Sequence, residues 1–142
     1  MGFRVNVTGG AEQISFDERS ITKVEFYSDT PDDSNARARD IRLSVKIWGK
    51  MNFSLGGQAV DSTLGAAKWA QVPAERADCY RNAVVEVVSA GQMVRQYTFP
   101  NAFVVEYTED LDDEAGVGQF YLHLKQKKDL NTAVQLNGGF GA

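Results

Sequence analysis

With one cysteine in 142 residues, the chain cannot close an internal disulfide, and Cys79 has no second thiol with which to hold a metal. That fits a reducing compartment and a small buried hydrophobe. Histidine is as scarce: the sole one, His123, sits in an alternating strand among Tyr121 and Lys125, which predicts a structural residue rather than the base of a triad. No run of about 18 apolar residues occurs, so membrane insertion through a helix is not expected. The N-terminus, Met-Gly-Phe-Arg-Val-Asn-Val, lacks the apolar block and cleavage site of a secretory signal, which predicts synthesis and folding in the cytoplasm. Basic residues are also in deficit. Fifteen Lys and Arg against 19 Asp and Glu leave a net charge of −4, a field that repels phosphate backbones and argues against stable nucleic-acid binding.

What is present is an ordinary globular composition, 43% hydrophobic and 24% charged, in a length suited to one domain. Period-two alternation dominates. In Asp40–Lys50, Ile41, Leu43, Val45 and Ile47 point one way while Arg42, Ser44 and Lys46 point the other; Trp48 breaks the polar side. Further strands read at Phe3–Val7, Ile21–Ser28, Ala83–Ala90, Met93–Phe99, Ala102–Thr108 and Gln119–Lys128. One helix is expected between Val60 and Ala77, capped by Asp61 or Ser62 and stopped by Pro73, with a short helical turn through Ala74–Tyr80. Ala90-Gly91-Gln92 and Pro100-Asn101 read as tight turns. Ser28–Asp40 is too long for a hairpin, and it carries Asp32, Asp33, Arg37 and Arg39, charges able to pair across an inter-subunit contact. The tail from Asn137 to Ala142 is glycine-rich, with Phe140 as its only anchor, and is expected to be loose.

No catalytic, cofactor or metal site is expected. Asn52-Phe53-Ser54-Leu55-Gly56 has Asn52 where a nucleophile elbow needs its first glycine. The acidic turn Glu109–Glu114 has Ala115 and Tyr121 where a calcium loop starting at Asp110 needs glycine and glutamate. Gly9-Gly10 and Gly56-Gly57 lack the lysine of a phosphate loop and read as turns. The sequons beginning at Asn6 and Asn52 carry little meaning in a chain without an export signal.

The order of strand, long charged loop, alternating strand, a helix opening at Asp61-Ser62-Thr63-Leu64, and a block of β-hairpins resembles the Hcp family of type VI secretion, whose fold is shared with phage tail tubes. The most similar stretch is Val84–Lys128: Val84-Val85-Glu86-Val87-Val88-Ser89-Ala90-Gly91, then Gln96-Tyr97-Thr98-Phe99, Val104-Val105-Glu106-Tyr107, an acidic turn, and Phe120-Tyr121-Leu122-His123-Leu124. The glycine-rich tail and the wording of the first strand depart from secreted members. The resemblance implies a mainly β fold, a closed or nearly closed β-barrel of two packed antiparallel sheets with one side helix, over residues 1–136, followed by a flexible tail at 137–142. It implies a non-enzymatic subunit that forms hexameric rings, stacked into the inner tube of a contractile injection machine, with sheath, baseplate or spike, and cargo as partners. On that reading Asp32, Asp33, Arg37 and Arg39 belong to an inter-subunit arm, while Arg42, Ser44 and Lys46 face the lumen. The rival reading is a monomeric β-barrel in which Trp48, Trp69, Phe99 and Tyr107 line a cavity for a small apolar ligand.

Overall fold

A computed structural model describes residues 1–11, 14–29, 42–51, 62–113, 118–127 and 133–139. Its strands are β1 (Gly2–Thr8), β2 (Ile14–Phe16), β3 (Ile21–Asp29), β4 (Arg42–Met51), β5 (Arg81–Ser89), β6 (Gln92–Asp110), β7 (Gly118–Gln126) and β8 (Gln135–Gly138). One α-helix, α1 (Ser62–Ala70), and a 3-10 turn (Ala77–Cys79) lie between β4 and β5. The hydrogen-bonded order is β2-β1-β5-β6-β7-β4-β3, with β8 added to β6, and every ladder is antiparallel.

The 19-residue β6 organises the molecule. Its first half pairs with β5 on one edge and β8 on the other, while its second half pairs with β7. The tight turn expected at Pro100-Asn101 is absent: the two strands anticipated on either side of it are one strand. The β5 ladder jumps there from Ala83↔Phe99 to Arg81↔Ala102, so Pro100, which has no N–H to donate, falls on a bulge where no regular rung is required. The two packed layers are consequently halves of one continuous sheet, curled until β1 lies against β3 at the far end of the strand order.

β8 continues the line of β7 along β6, since Gln126 faces Ala102 and Gln135 faces Thr98. It takes in Asn137 and Gly138, the first two residues of the segment expected to be loose; backbone pairing orders them without side-chain burial. The β5–β6 hairpin turns as expected, with Ala90 at φ 53° and Gly91 at φ 76° between the paired Ser89 and Gln92, the two positive values that a type I′ turn needs.

Alternation sends Val45, Ile47, Val85, Phe99, Leu122 and Leu124 into one fully buried core. α1 packs on β6 and β2 and ends at Ala70, ahead of Pro73. Asp61, one expected cap, lies outside the described residues. Ser62, the other, turns to β2: its Oγ accepts the Ser15 N–H at 2.9 Å and donates to the Ser15 carbonyl at 2.8 Å, one extra rung on an edge strand.

Candidate functional site

The register defines the outward face of β3, β4, β7 and the second half of β6. Tyr27, Ser44, Lys125 and Phe103 form one cross-strand row; Glu25, Lys46, His123 and Glu106 form the next; Lys23, Trp48, Tyr121 and Thr108 the third. Cations and rings interleave on it. Trp48 lies 5.1 Å from Tyr121, Lys23 Nζ sits 4.8 Å above Trp48 and Lys46 Nζ 5.6 Å from Tyr27, each a favourable contact at a half-wet surface. Lys23 also pairs with Glu25 at 3.2 Å.

Arg42 and Lys46 occupy the face expected of them, Arg42 exposed and Lys46 half-buried. Ser44 shares that face but is only 1% accessible, so the expectation that it meets water fails for the subunit. It is a short side chain between the longer Tyr27 and Lys125 on the neighbouring strands. Asp32, Asp33, Arg37 and Arg39, with the rest of residues 30–41, lie outside the described residues, as do Asn52 to Gly57.

Burial pushes the His123 imidazole below its usual pKa, and Lys46 and Lys125 push the same way against the weaker opposing pull of Glu106. Burial and the carboxylates of Glu106 and Glu25 raise the Tyr121 phenol. Because folded His123 titrates below the unfolded value of about 6.5, the unfolded chain takes up this proton first as pH falls. Stability therefore declines from about pH 6.5 down to the lowered folded value and is flat below it. Thermal melts across this window should show a smaller acid loss for His123→Gln than for the wild type; equal losses would remove His123 as the cause.

The four aromatics proposed to share a cavity do not line one: three of them, Trp69, Phe99 and Tyr107, belong to or pack on the solid core. Trp48 faces outward, Phe99 and Trp69 are core residues, and Tyr107 holds its hydroxyl 2.7 Å from Glu109 Oε1 and 3.2 Å from the Thr63 carbonyl. A hollow of about 150 Å³ beside α1, lined by Trp69, Cys79, Tyr80 and Phe103 among others, includes only one of the four. It is smaller than the roughly 300–1,000 Å³ of ordinary ligand sites. Cys79 is buried. Among the described residues, no three His, Cys, Asp or Glu side chains are grouped to hold a metal, and no helix is long and apolar enough to cross a membrane.

Among the described residues, a single antiparallel sheet curls over its core with one helix at its side and a long strand shared by both halves, which is the Hcp-like fold. No family model matches the chain, and no curated protein matches its sequence. Solved structures do. Hcp1 from Flavobacterium johnsoniae superposes with a TM-score of 0.60 at 13% identity, covering 98% of this chain and 97% of that one. Hcp1 from the E. coli EAEC 042 pathovar gives 0.56 at 11%, covering 97% and 99%. A chain of the anti-feeding prophage baseplate gives 0.53 at 19%, covering 96% and 93%. Identities this low establish a shared fold along nearly the full chain. Sequence reasoning missed Lys23, His123 and Lys125 as parts of the outward face; Trp48, the apolar residue on the polar side of β4, was the one local signal of it.

Proposed function

We propose that the protein is a tube subunit of a contractile injection machine, forming hexameric rings that stack into the inner tube. The observation that carries this reading is the strand arithmetic of the second half-sheet. β6, β7, β4 and β3 alternate in direction because each ladder is antiparallel. Among the described residues β3 pairs only with β4, and β6 beyond Ala102 pairs only with β7, so both ends of this four-strand unit are open. Rotation about an axis along the strands brings β6 of the next copy alongside β3, and an even strand number makes that contact antiparallel. Repetition closes a barrel and covers both of these open edges. The outward face then becomes the wall of the lumen, with Arg42, Lys46 and the lysine-aromatic rows lining it and Ser44 beneath them. The Hcp-like fold supports the same reading, as does the occurrence of that fold in the anti-feeding prophage baseplate. Asp32, Asp33, Arg37 and Arg39 would form an arm between subunits or rings. Sheath, baseplate or spike, and cargo proteins would be partners of a tube made in the cytoplasm and built into the particle.

In-step pairing of β3 with the next β6 would set Glu25 against Glu106, since both lie in one row. The stagger that barrel closure demands moves Lys23 opposite Glu106 or Asp110 instead. In a Cys79→Ala background, Lys23→Cys combined with either Glu106→Cys or Asp110→Cys should give disulfide-linked oligomers, and native mass spectrometry should show hexamers. A strict monomer at high concentration, with neither pair linking, would overturn the reading.

A further inference from the structure

The outward face reverses the sign of the chain at one place. Lys46 on β4 lies directly across from His123 on β7, and Lys125 follows two residues on, across from buried Ser44. Neither lysine is ion-paired among the described residues, whereas Lys23 on the same face is paired with Glu25. His123 lies between them with its Nε2 buried and without a hydrogen-bond partner among the described residues. The other groups around that ring are Glu106 from β6, Tyr121 from its own strand, and Glu25 one strand further, across from Lys46. With Glu25 already engaged by Lys23, the two ammonium groups beside an imidazole held neutral face only the carboxylate of Glu106, which leaves the spot with a surplus of positive charge.

We propose that Lys46 and Lys125, flanking His123, receive carboxylates of an acidic polypeptide passing along this face. The proposal deepens the tube reading, on which the description of that polypeptide as cargo rests. Charge complementarity selects the occupant. Spaced carboxylates can meet the two lysines while avoiding Glu25 and Glu106, whereas a continuous phosphate backbone would run into both of them. Rows of Trp48, Tyr121 and Tyr27 beside the spot offer flat apolar surface to the rest of such a chain. A ring repeats the spot in every subunit, so weak single contacts add through avidity while each remains quick to release. His123 makes the spot pH-responsive: a bound carboxylate favours the imidazolium, and protonation adds a third positive charge beside the lysines.

The test uses labelled poly-L-glutamate, with poly-L-lysine and an oligodeoxynucleotide in parallel, added to the full-length protein in low salt and followed by fluorescence anisotropy. Poly-L-glutamate should bind and poly-L-lysine should not. Lys46→Gln with Lys125→Gln should weaken binding at least about tenfold, the scale of losing one hydrogen bond to a charged group, and the two Lys→Arg replacements should retain it. Acidification from about pH 7.5 to pH 5.5, where most glutamates stay ionised, should tighten the wild type more than His123→Gln. Tighter binding of the oligonucleotide than of poly-L-glutamate, or unchanged binding by the double Gln variant, would overturn the proposal. Native mass spectra of the same samples separate the two readings. Rings without poly-L-glutamate binding remove this site and leave the tube; binding by a strict monomer removes the tube and leaves the site.

Discussion

Replacing Gly49 by alanine is expected to destabilise the fold by about 3 kcal/mol, at the upper end of the usual range for overpacking a core. Gly49 faces inward on β4 between Ile21 of β3 and Phe120 of β7. A Cβ placed there would collide with the Phe120 ring and stand 2.6 Å from the Ser20 carbonyl oxygen. The ring could turn aside only by disturbing its own stack on Phe16, whose centroid is 4.8 Å away. The Ser20 oxygen cannot retreat cheaply, because it accepts the Lys50 N–H at 2.7 Å. The β3–β4 ladder shifts register at this point, between Ile21 and Lys23. Glycine thus lets two backbones and an aromatic ring meet at the bend of an edge strand. Urea titrations followed by tryptophan emission should show the loss. Adding Phe120→Leu should restore less than half of it, since the backbone contact remains; full restoration would put the entire conflict on the ring, and no loss for Gly49→Ala alone would contradict the close approach itself.

The contrast between β4 and β6 shows what could be read from the sequence. β4 declared itself because Leu43, Val45 and Ile47 alternate with polar residues over a half-buried surface, and periodicity is a local property. β6 did not: Pro100 reads as a break until the bulge opposite β5 is known, and a bulge is a property of two strands. β2 has only three residues, and β8 owes its order to pairing with β6, so neither has a periodicity of its own to detect. The site divides in the same way. Arg42 and Lys46 follow from the period of β4, but the burial of Ser44 depends on Tyr27 and Lys125 in other strands, and the environment of His123 depends on the β4–β7 and β6–β7 registers. Those long-range pairings also create the open β3 and β6 edges on which the assembly argument rests.

Trp69→Ala is expected to cost about 4 kcal/mol, within the range for truncating a buried tryptophan. The side chain is 1% accessible, its Nε1–H donates to the Cys79 carbonyl at 2.8 Å, and the Arg81 guanidinium carbon lies 5.3 Å from its ring centre. It therefore ties α1, the 3-10 turn and the start of β5 together. Domains of this kind have about 5–15 kcal/mol in all, so the variant should be marginal at elevated temperature. Trp69→Phe keeps much of the volume and drops the donor, leaving the Cys79 carbonyl without that partner at a cost of about 1–3 kcal/mol. Its effect should be clearer in assembly than in folding. Trp69 lines the hollow beside Phe103 and Val104, at the point where β6 loses β5 as a partner and its edge opens. A loosened α1 would leave that edge without a fixed neighbour, and backbone pairing with another copy needs a rigid template. Circular dichroism in urea together with native mass spectrometry should place the variants in the order wild type, Phe, Ala for stability, with Trp69→Phe folded yet poorer in hexamers. If Trp69→Ala stays within about 0.5 kcal/mol of wild type, the range of neutral surface substitutions, the assigned packing is wrong. If a folded Trp69→Phe assembles as fully as the wild type, α1 does not set the open edge of β6.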